Sequence, residues 1–356
     1  MKRALMFAKK GQGRVSPNPM VGAVIVRDSR IIGEGYHKKF GGPHAEVNAI
    51  DNAVESPEGA AFYVTLEPCS HYGKTPPCVE RLIELEPSRV IIGTIDPNPL
   101  VSGRGIAALR DRGIPTEVGV LEKECRRLNE PFFTFMERGT PFVTVKYAQT
   151  LDGRIASSTG DSRWISSLKS RRFAHRLRSR HDAILVGIGT VLADDPELTV
   201  RHVSGRNPVR VVIDPRLRIP LDARLLEDQD QARTLVVTSI RSDSAKSDQL
   251  QSRGIETVYV EEEGPGRLDV KEVFAALGKR GLSSVLIEGG SGIITACLAG
   301  SLVDRLIVIT APRILGKGID AVGDLGFTTM DQSLNLRVER LTRSDGDIII
   351  DARFES

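Results

Sequence analysis

Short apolar runs alternate with amphipathic segments along the first 120 residues. Val21–Val26 and Ile31–Gly35 flank a polar turn, which predicts a β-hairpin. A helix is expected from about His44 to Ala53, followed by a buried strand at Ala61–Leu66. The alternation continues with a helix that has proline in its first turn, a strand, and a helix ended by Gly113, at Pro77–Leu85, Arg89–Thr94 and Gly105–Arg112. This order predicts a sheet covered by helices.

A second series of strands follows Glu137–Pro141, where a helical segment stops and a glycine and a proline interrupt the pattern. Its apolar segments of strand length are Phe142–Tyr147, Ala183–Val186, Val209–Ile213, Thr234–Thr238, Thr257–Val260, Ser284–Ile287 and Arg305–Thr310. Leu336–Arg343 and Ile348–Phe354, joined by a polar turn, predict a terminal hairpin. We therefore expect two α/β domains, residues 1–140 and 141–356, as suits a chain of 356 residues.

Composition narrows the class of protein. Hydrophobic residues make up 40% and charged residues 27%, as in globular rather than disordered chains. The longest apolar runs are far shorter than a membrane span, and the basic start of the chain is amphipathic without a secretory apolar stretch, so we expect a cytoplasmic protein. A net charge of +3 argues against general binding of nucleic acid. The dense basic stretch Lys169–Arg180 fits a solvated helix face and anion steering equally well.

The strongest chemical signal is a set of metal-ligand residues, His44, Cys69 and Cys78, with Glu46 two residues beyond the histidine. A catalytic zinc ion takes three protein ligands and keeps one position for water, and one imidazole with two thiolates supplies that set. Zinc brings the pKa of the water near neutrality, and a neighbouring carboxylate can carry its proton to a ring nitrogen and then to a leaving amine. The sequence therefore predicts one catalytic Zn²⁺ per chain, with Glu46 as the proton carrier.

The spacing of the two cysteines is longer than in the short zinc pattern. His-x-Glu followed by Pro-Cys-x-x-Cys is typical of zinc nucleobase deaminases, whereas eight residues separate Cys69 from Cys78. Both sulfurs still reach one ion if the inserted residues bulge outward. The insert contains His71 and Lys74, which are able to contact a substrate. A structural zinc site is the alternative; it normally takes a fourth protein ligand, for which His71 is the candidate.

Two further features point to ligand contacts without fixing them. Two prolines around Asn18 stiffen a loop, so that its amide either reads the edge of a ring or belongs to a plain turn. In the second domain, Glu288–Gly292 follows a strand and precedes the predicted helix Ile293–Leu298, a junction that offers amide groups to a pyrophosphate but is also common without a ligand. Arg178 and Arg201 are equally plausible as ligands of a phosphate group and as ordinary surface residues. The remaining histidines and cysteines of interest are expected to be ordinary surface or core residues: His175, His181, His202, Cys125 and Cys297.

Together these residues resemble the bifunctional deaminase/reductase family of riboflavin biosynthesis. The shared segments span the chain in the same order: Pro17–Gly22, Pro43–Glu46, Thr65–Cys78, Asp96–Pro99, Leu151–Ala156, Gly160–Ile165, Thr190–Thr199, Glu288–Ser291 and Ala311–Arg313. The resemblance implies a cytidine-deaminase-like α/β/α sandwich followed by a dihydrofolate-reductase-like α/β domain. It also implies zinc-dependent hydrolytic deamination of a diamino-ribosylamino-pyrimidinone 5′-phosphate, reduction of its ribosyl group with NADPH, and a homo-oligomer, either a dimer or a tetramer.

The resemblance assigns roles to individual residues of the second domain. The dinucleotide would contact Ala148, Trp164, Thr190, Asp194, Gly289, Gly290, Ser291, Gly292, Ile293, Ile294, Thr295 and Ala296. The phosphorylated substrate would contact Lys146, Ser162, Arg178, Leu198, Arg201 and Glu288. Trp164 is the chain's single tryptophan, and without the resemblance it would be expected in the core.

Two other classes of function stay open on the residues alone. One is a deaminase of nucleic-acid bases in which the second domain binds the nucleic acid. The near-neutral net charge and the lack of aromatic platforms for stacking bases argue against this alternative. The other is a zinc-stabilised ligand-binding or regulatory protein without catalysis. We expect a small-molecule enzyme that binds neither nucleic acid nor membrane.

Overall fold

The computed structural model of the chain describes residues 1–72 and 76–355. The chain divides into two compact units, Met1–Gly139 and the residues from Thr140 onward. The division expected from the sequence falls between residues 140 and 141. Within the described residues, no helix has the length and apolar character needed to cross a membrane.

The first unit is a sheet with helices packed on it. Its elements in chain order are α1 Lys2–Ala8, β1 Gly22–Arg27, β2 Arg30–Tyr36, α2 Ala45–Asp51, β3 Ala61–Val64, α3 Cys78–Glu84, β4 Arg89–Ile92, α4 Arg104–Asp111, β5 Thr116–Val118, α5 Glu122–Leu128 and α6 Glu130–Arg138. The strand order is β2-β1-β3-β4-β5. Strand β1 is antiparallel to β2 and β3, whereas β3, β4 and β5 run parallel.

Local chemistry explains these elements. The predicted hairpin forms, and Asp28 and Ser29 adopt positive φ angles of 47° and 61° in its turn, the conformation that a two-residue hairpin favours. The helix predicted from Pro77 begins one residue later, at Cys78, so the proline precedes the helix. The core contains apolar side chains from the sheet and from its helices, among them Ile25, Phe62, Leu82, Ile92 and Leu109.

The second unit contains a larger sheet. Its elements are β6 Phe142–Thr150, β7 Arg154–Ser157, α7 Leu168–Arg178, β8 Ala183–Gly187, α8 Ile188–Asp194, β9 Val209–Ile213, β10 Thr234–Ser239, α9 Ser244–Ser252, β11 Glu256–Val260, β12 Glu262–Gly264, β13 Arg267–Leu268, α10 Val270–Gly278, β14 Ser284–Ile287, α11 Ser291–Ala299, β15 Arg305–Ala311, β16 Gly318–Asp320, β17 Leu336–Ser344 and β18 Asp347–Phe354. Nine strands follow the order β11-β10-β9-β8-β14-β6-β15-β18-β17. The strands from β11 to β15 are parallel, and β18 and β17 complete the sheet in antiparallel pairs.

Both faces of the parallel strands are buried, which explains their nearly continuous apolar sequences. In β8, Ala183 and Leu185 face one hydrophobic cluster while Ile184 and Val186 face another. All strands predicted for this half of the chain are present, including the terminal hairpin. The helix predicted at Ile293–Leu298 is longer and begins at Ser291, directly after the glycines.

Candidate functional sites

The three predicted zinc ligands meet where two helices begin. His44 precedes α2, Cys78 is the first residue of α3, and Cys69 lies in the loop after β3. The Nδ1 atom of His44 is 3.4 Å from the Sγ of Cys69 and 3.2 Å from the Sγ of Cys78. The three ligand atoms all lie within 4.8 Å of one another. One nitrogen and two sulfurs form a donor set that fits zinc and leaves a fourth position for a reactant.

The charges around this cluster favour zinc binding and proton transfer. Hydrogen bonding by Cys78, together with His44 and against the effect of burial, lowers the pKa of Cys69 to about 4, whereas the same hydrogen bond and burial raise the pKa of Cys78. Cys69 is therefore the thiolate of the pair, and Cys78 holds its proton until a metal displaces it. Glu46 lies in the first turn of α2 and is 3% exposed. Burial, reinforced by the charge of Cys69, raises the pKa of Glu46 to about 7. A carboxyl group with that pKa both releases and takes up a proton at neutral pH.

A cavity of about 360 Å³ opens at the cluster, within the range of small-ligand pockets. Its lining includes His44, Glu46 and Cys69 together with the predicted substrate residues Asn18 and His71. The structure therefore brings all of these residues to one site. Lys74, the other predicted contact of this loop, lies outside the described residues.

His37 fixes the orientation of Asn18, a contact that sequence reasoning missed. The Nδ1 of His37 lies 3.1 Å from the carbonyl oxygen of Pro43, which can only accept a hydrogen bond, so Nδ1 carries the proton. The Nε2 atom then accepts a hydrogen bond from the Nδ2 of Asn18 at 3.3 Å. The amide of Asn18 is thereby held in one orientation at the cavity. No motif marks His37 in the sequence, because its partners are backbone and loop atoms.

Two more buried polar residues support the site. The Nδ2 of Asn48 lies 3.0 Å from each of the carbonyl oxygens of Tyr36, Pro43 and His44, which share its two hydrogens. Asn48 thereby holds the segment that carries the predicted zinc ligand His44. Glu67 is 3% exposed and accepts hydrogen bonds from four backbone N–H groups, those of Asp96, Gly103, Gly105 and Ile106. A carboxylate between the apolar Leu66 and Pro68 was the one available signal of this role.

In the second unit, three predicted substrate residues form one ion cluster. Arg178 donates from Nε to Oε1 of Glu288 at 3.0 Å and from Nη2 to Oε2 at 2.9 Å, and the Nζ of Lys146 lies 3.6 Å from Oε2. The Glu288 side chain is 6% exposed. Burial opposes its ionisation, but the charges of Arg178 and Lys146 lower the pKa of Glu288 to about 2. These charged groups lie beyond the end of β14, where ligands of parallel sheets bind.

The predicted phosphate-binding turn, Gly289–Gly290, comes directly after Glu288 in the chain. Gly289 and Gly290 have φ angles of 114° and 79°, which side-chain-bearing residues rarely adopt, and Gly290 caps the start of α11. A Cβ atom on either glycine would lie 3.4 Å from the Oγ1 of Thr190, another predicted cofactor residue. The turn and the hydroxyl of Thr190 are therefore neighbours. Ile294 and Leu198 have side chains in the hydrophobic clusters, so their backbone atoms are the groups able to contact a ligand.

Trp164 is 59% exposed, so the core position expected for a lone tryptophan is wrong. The guanidinium of Arg171 lies 4.0 Å from its ring centroid, and Arg313 donates to its carbonyl oxygen at 2.9 Å. The side chain of Arg201 is 46% exposed. The other predicted contacts of this domain are half-buried: Ala148, Ser162, Asp194, Ser291, Ile293, Thr295 and Ala296; Gly292 is exposed. Cys125, Cys297, His175 and His181 are buried, and His202 is exposed.

Both units of the chain match known families. Residues 1–94 match the cytidine and deoxycytidylate deaminase zinc-binding region, and residues 141–350 match the RibD C-terminal domain. Fold and site together define a zinc-dependent deaminase joined to a reductase. The Riboflavin biosynthesis protein RibD of Aquifex aeolicus is 43% identical over 351 residues, which cover 98% of this chain and 96% of that protein. The chain belongs to the RibD family of riboflavin biosynthesis proteins.

Two solved structures support this membership. Acinetobacter baumannii RibD superposes with a TM-score of 0.91 at 36% identity and covers 100% of this chain and 98% of its own. The diaminohydroxyphosphoribosylaminopyrimidine deaminase/5-amino-6-(5-phosphoribosylamino)uracil reductase of Thermotoga maritima gives a TM-score of 0.87 at 41% identity, covering 100% and 97%. The expected fold class, a cytidine-deaminase-like domain followed by a dihydrofolate-reductase-like domain, is confirmed, as is a bifunctional deaminase and reductase of riboflavin biosynthesis that uses zinc and NADPH.

Proposed function

We propose that residues 1–140 deaminate 2,5-diamino-6-ribosylamino-4(3H)-pyrimidinone 5′-phosphate and that residues 141–356 then reduce its ribosyl group with NADPH, giving 5-amino-6-(5-phosphoribitylamino)uracil. The observation that carries the proposal is the cluster of His44, Cys69 and Cys78 beside buried Glu46 at one cavity. The deaminase and reductase activities for which the Thermotoga maritima relative is named support the same two steps.

In the deamination, His44, Cys69 and Cys78 would hold a zinc ion, which would act as a Lewis acid and lower the pKa of water to near neutrality. Glu46 takes a proton from the attacking water and delivers it to the ring nitrogen. It then takes the remaining proton from the added hydroxyl group as the C=O bond forms, and passes it to the amine, which leaves as ammonia when the C–N bond breaks. Its pKa of about 7, raised by burial, suits both halves of this transfer. Asn18, oriented by His37, holds the edge of the pyrimidine ring.

In the reduction, the protein positions two ligands and excludes water, because the hydride comes from the cofactor. The Gly289–Gly290 turn at the start of α11 presents backbone N–H groups to the phosphates of NADPH, with Thr190 beside it. Lys146, Arg178 and Glu288 bind the sugar phosphate. Among them, Lys146 orients the sugar.

The decisive experiment incubates the zinc-loaded protein with the phosphorylated diaminopyrimidine, with and without NADPH. We expect ammonia release in both cases and NADPH oxidation only after deamination. Glu46→Gln should keep its zinc and its ability to reduce the deaminated intermediate, yet release ammonia at least about a hundredfold more slowly. Full deaminase activity in this variant would refute the role of Glu46, and no ammonia from the wild type would refute the deaminase assignment.

As a member of this family, the chain is an enzyme that acts on a small molecule. We infer further that the chain works in the cytoplasm and that it forms a dimer or tetramer.

Free thiols at all four cysteines, two of them in the zinc cluster, fit a reducing compartment such as the cytoplasm. The exposed apolar side chains of Leu336, Val338 and Leu341 on β17 offer an association surface. Light scattering of the purified protein tests the oligomer, and a monomeric mass would contradict it.

A further inference from the structure

Helix α7 holds a neighbouring loop through two side chains one turn apart, His175 and Arg178. Arg178 donates from Nη1 to the carbonyl oxygen of Thr199 at 3.0 Å, in addition to its two bonds to Glu288. The Nδ1 of His175 accepts a hydrogen bond from the backbone N–H of Arg201 at 3.1 Å. Helix α7, which contributes Arg178 to the ion cluster, therefore also fixes the backbone on either side of Val200.

The loop is held residue by residue. Between these two contacts, the backbone N–H of Val200 donates to Oδ1 of Asn207 at 2.7 Å. At the start of the loop, Leu198 adopts a positive φ of 55° with its side chain buried in the core. Thr199, Val200 and Arg201 are thus each hydrogen-bonded through the backbone to a different side chain. The fixed backbone in turn sets the direction in which the Arg201 side chain leaves the loop.

His175 suits this task because its ring is neutral and its acceptor nitrogen is buried. The residue is 5% exposed, and burial, followed by the positive charge of Arg178, lowers its pKa to about 4. Since Nδ1 accepts the N–H of Arg201, the single ring proton resides on Nε2. The ring of His202 packs edge-on against it, with centroids 4.6 Å apart.

The side chain of Arg201 has the chemistry for a phosphate. Its guanidinium bonds the Glu197 carboxylate through Nη1, and with the side chain 46% exposed its other N–H groups are accessible to a ligand. Guanidinium groups bind phosphate oxygens in pairs, and the strength of that binding depends on direction. A backbone that is free to rotate would lose this direction.

We propose that His175 is a positioning residue for the reduction: by holding the backbone N–H of Arg201, it directs that guanidinium to the 5′-phosphate of the substrate. The inference rests on the proposed function and on the contact between Arg201 and the phosphorylated substrate that the family resemblance implies. His175 itself touches no reacting atom.

The test measures NADPH oxidation on two substrates, 5-amino-6-(5-phosphoribosylamino)uracil and its dephosphorylated form. His175→Leu removes the acceptor and keeps an apolar side chain; we expect KM for the phosphorylated substrate to rise about tenfold with kcat within about twofold. KM for the dephosphorylated form should not change. His175→Asn retains an acceptor oxygen near the position of Nδ1 and should restore most of the affinity. Ammonia release by the first domain serves as the internal control.

The Arg201→Ala variant tests whether Arg201 binds the phosphate at all, separately from whether His175 positions it. It should raise KM for the phosphorylated substrate at least as much as His175→Leu does, and the double variant should be no worse than Arg201→Ala alone. If Arg201→Ala raises KM but His175→Leu does not, the positioning role is wrong and the substrate assignment stands. If Arg201→Ala leaves KM unchanged, the assignment of Arg201 fails and the inference with it. Equal losses on both substrates, unrescued by His175→Asn, would show a purely structural role and overturn the proposal.

Discussion

Gly35 of β2 lies so close to Ala49 of α2 that a Cβ atom on Gly35 would come within 2.2 Å of the Ala49 backbone nitrogen and 2.4 Å of the Ala45 carbonyl oxygen. Helix α2 therefore packs with its backbone against the strand, and this close approach sets the height at which His44 and Glu46 stand above the sheet. The zinc cluster depends on that height, because Cys69 and Cys78 come from other segments.

Gly35→Ala should push α2 away from the sheet and disturb the zinc site. We expect a loss of about 1–3 kcal/mol in the free energy of unfolding of the first domain, typical of overpacking, together with a lower zinc content and slower ammonia release. Reduction of the deaminated intermediate should continue unchanged. Metal analysis and urea unfolding measure these effects.

Gly264→Ala is the matched control, since a Cβ there meets nothing within 4 Å. A Gly35→Ala protein with full zinc content and unchanged stability would show that α2 adjusts without moving its ligands, contrary to this expectation.

Glu288→Gln should destabilise the reductase domain in a pH-dependent way. Burial would raise the pKa of Glu288, yet Arg178 and Lys146 lower it to about 2 from the ordinary value of 4.5. A carboxylate with a depressed pKa stabilises the fold above pH 4.5, and that contribution, about 3 kcal/mol, is lost as the pH falls from 4.5 toward 2. The difference in unfolding free energy between wild type and variant should therefore be largest at neutral pH and shrink below pH 4.5. A difference that stays constant from pH 7 to pH 3 would contradict this interpretation.

Patterns in the sequence were sufficient for the nine strands of the larger sheet, for four of the five strands of the smaller one, and for the types of reactive group. Parallel strands buried on both faces leave apolar runs such as Ser284–Ile287, and zinc needs particular ligand types, so both can be recognised without coordinates. The long Cys69–Cys78 spacing did not obscure the site, because Cys78 returns to the cluster as the first residue of α3.

Residues that support the site were not predictable from spacing. Asn48, Glu67 and His37 bind backbone atoms or loop amides, and such contacts impose no periodicity on the sequence. Residue type alone would have placed Trp164 in the core for a related reason: type gives a tendency to burial, whereas the surroundings of this ring are set by Arg171 and Arg313.

His181 should make the second domain sensitive to mild acid. Its Nδ1 donates to the carbonyl oxygen of Leu177 at 2.7 Å, and its Nε2 accepts from the hydroxyl of Thr144 at 3.1 Å. Burial lowers the pKa of His181 to about 4, below the ordinary value of 6.5. Below pH 6.5, His181 is protonated in the unfolded chain but stays neutral in the folded one. The free energy of unfolding therefore falls by about 1.4 kcal/mol for each unit by which the pH drops between 6.5 and 4.

His175, whose pKa burial and Arg178 also lower to about 4, adds a second proton over the same window. His181→Asn should consequently halve the pH slope of the unfolding free energy, measured by urea denaturation at pH 7, 6 and 5. An unaltered slope in the variant would mean that His181 does not exclude a proton in the folded state.

Glu67→Gln should weaken the deaminase site without removing the metal. The Oε2 atom of Glu67 accepts from the N–H groups of Asp96 and Gly103, and Oε1 accepts from those of Gly105 and Ile106, all at 3.0–3.2 Å. A glutamine amide has one oxygen, so whichever way it turns, its NH₂ group faces two backbone donors. Two buried N–H groups without acceptors should cost about 2–5 kcal/mol of unfolding free energy.

The consequence for catalysis follows from the loop that Glu67 holds. Asp96 and Asn98 line the cavity, so their displacement should raise KM for deamination while zinc content and NADPH oxidation on the deaminated intermediate remain at wild-type values. Glu117→Gln, at an exposed position of β5, is the matched control for the same chemical change. If Glu67→Gln and Glu117→Gln prove equally stable and equally active, the four hydrogen bonds do not organise this side of the cavity, and the other hydrogen bonds within the loop hold it in place.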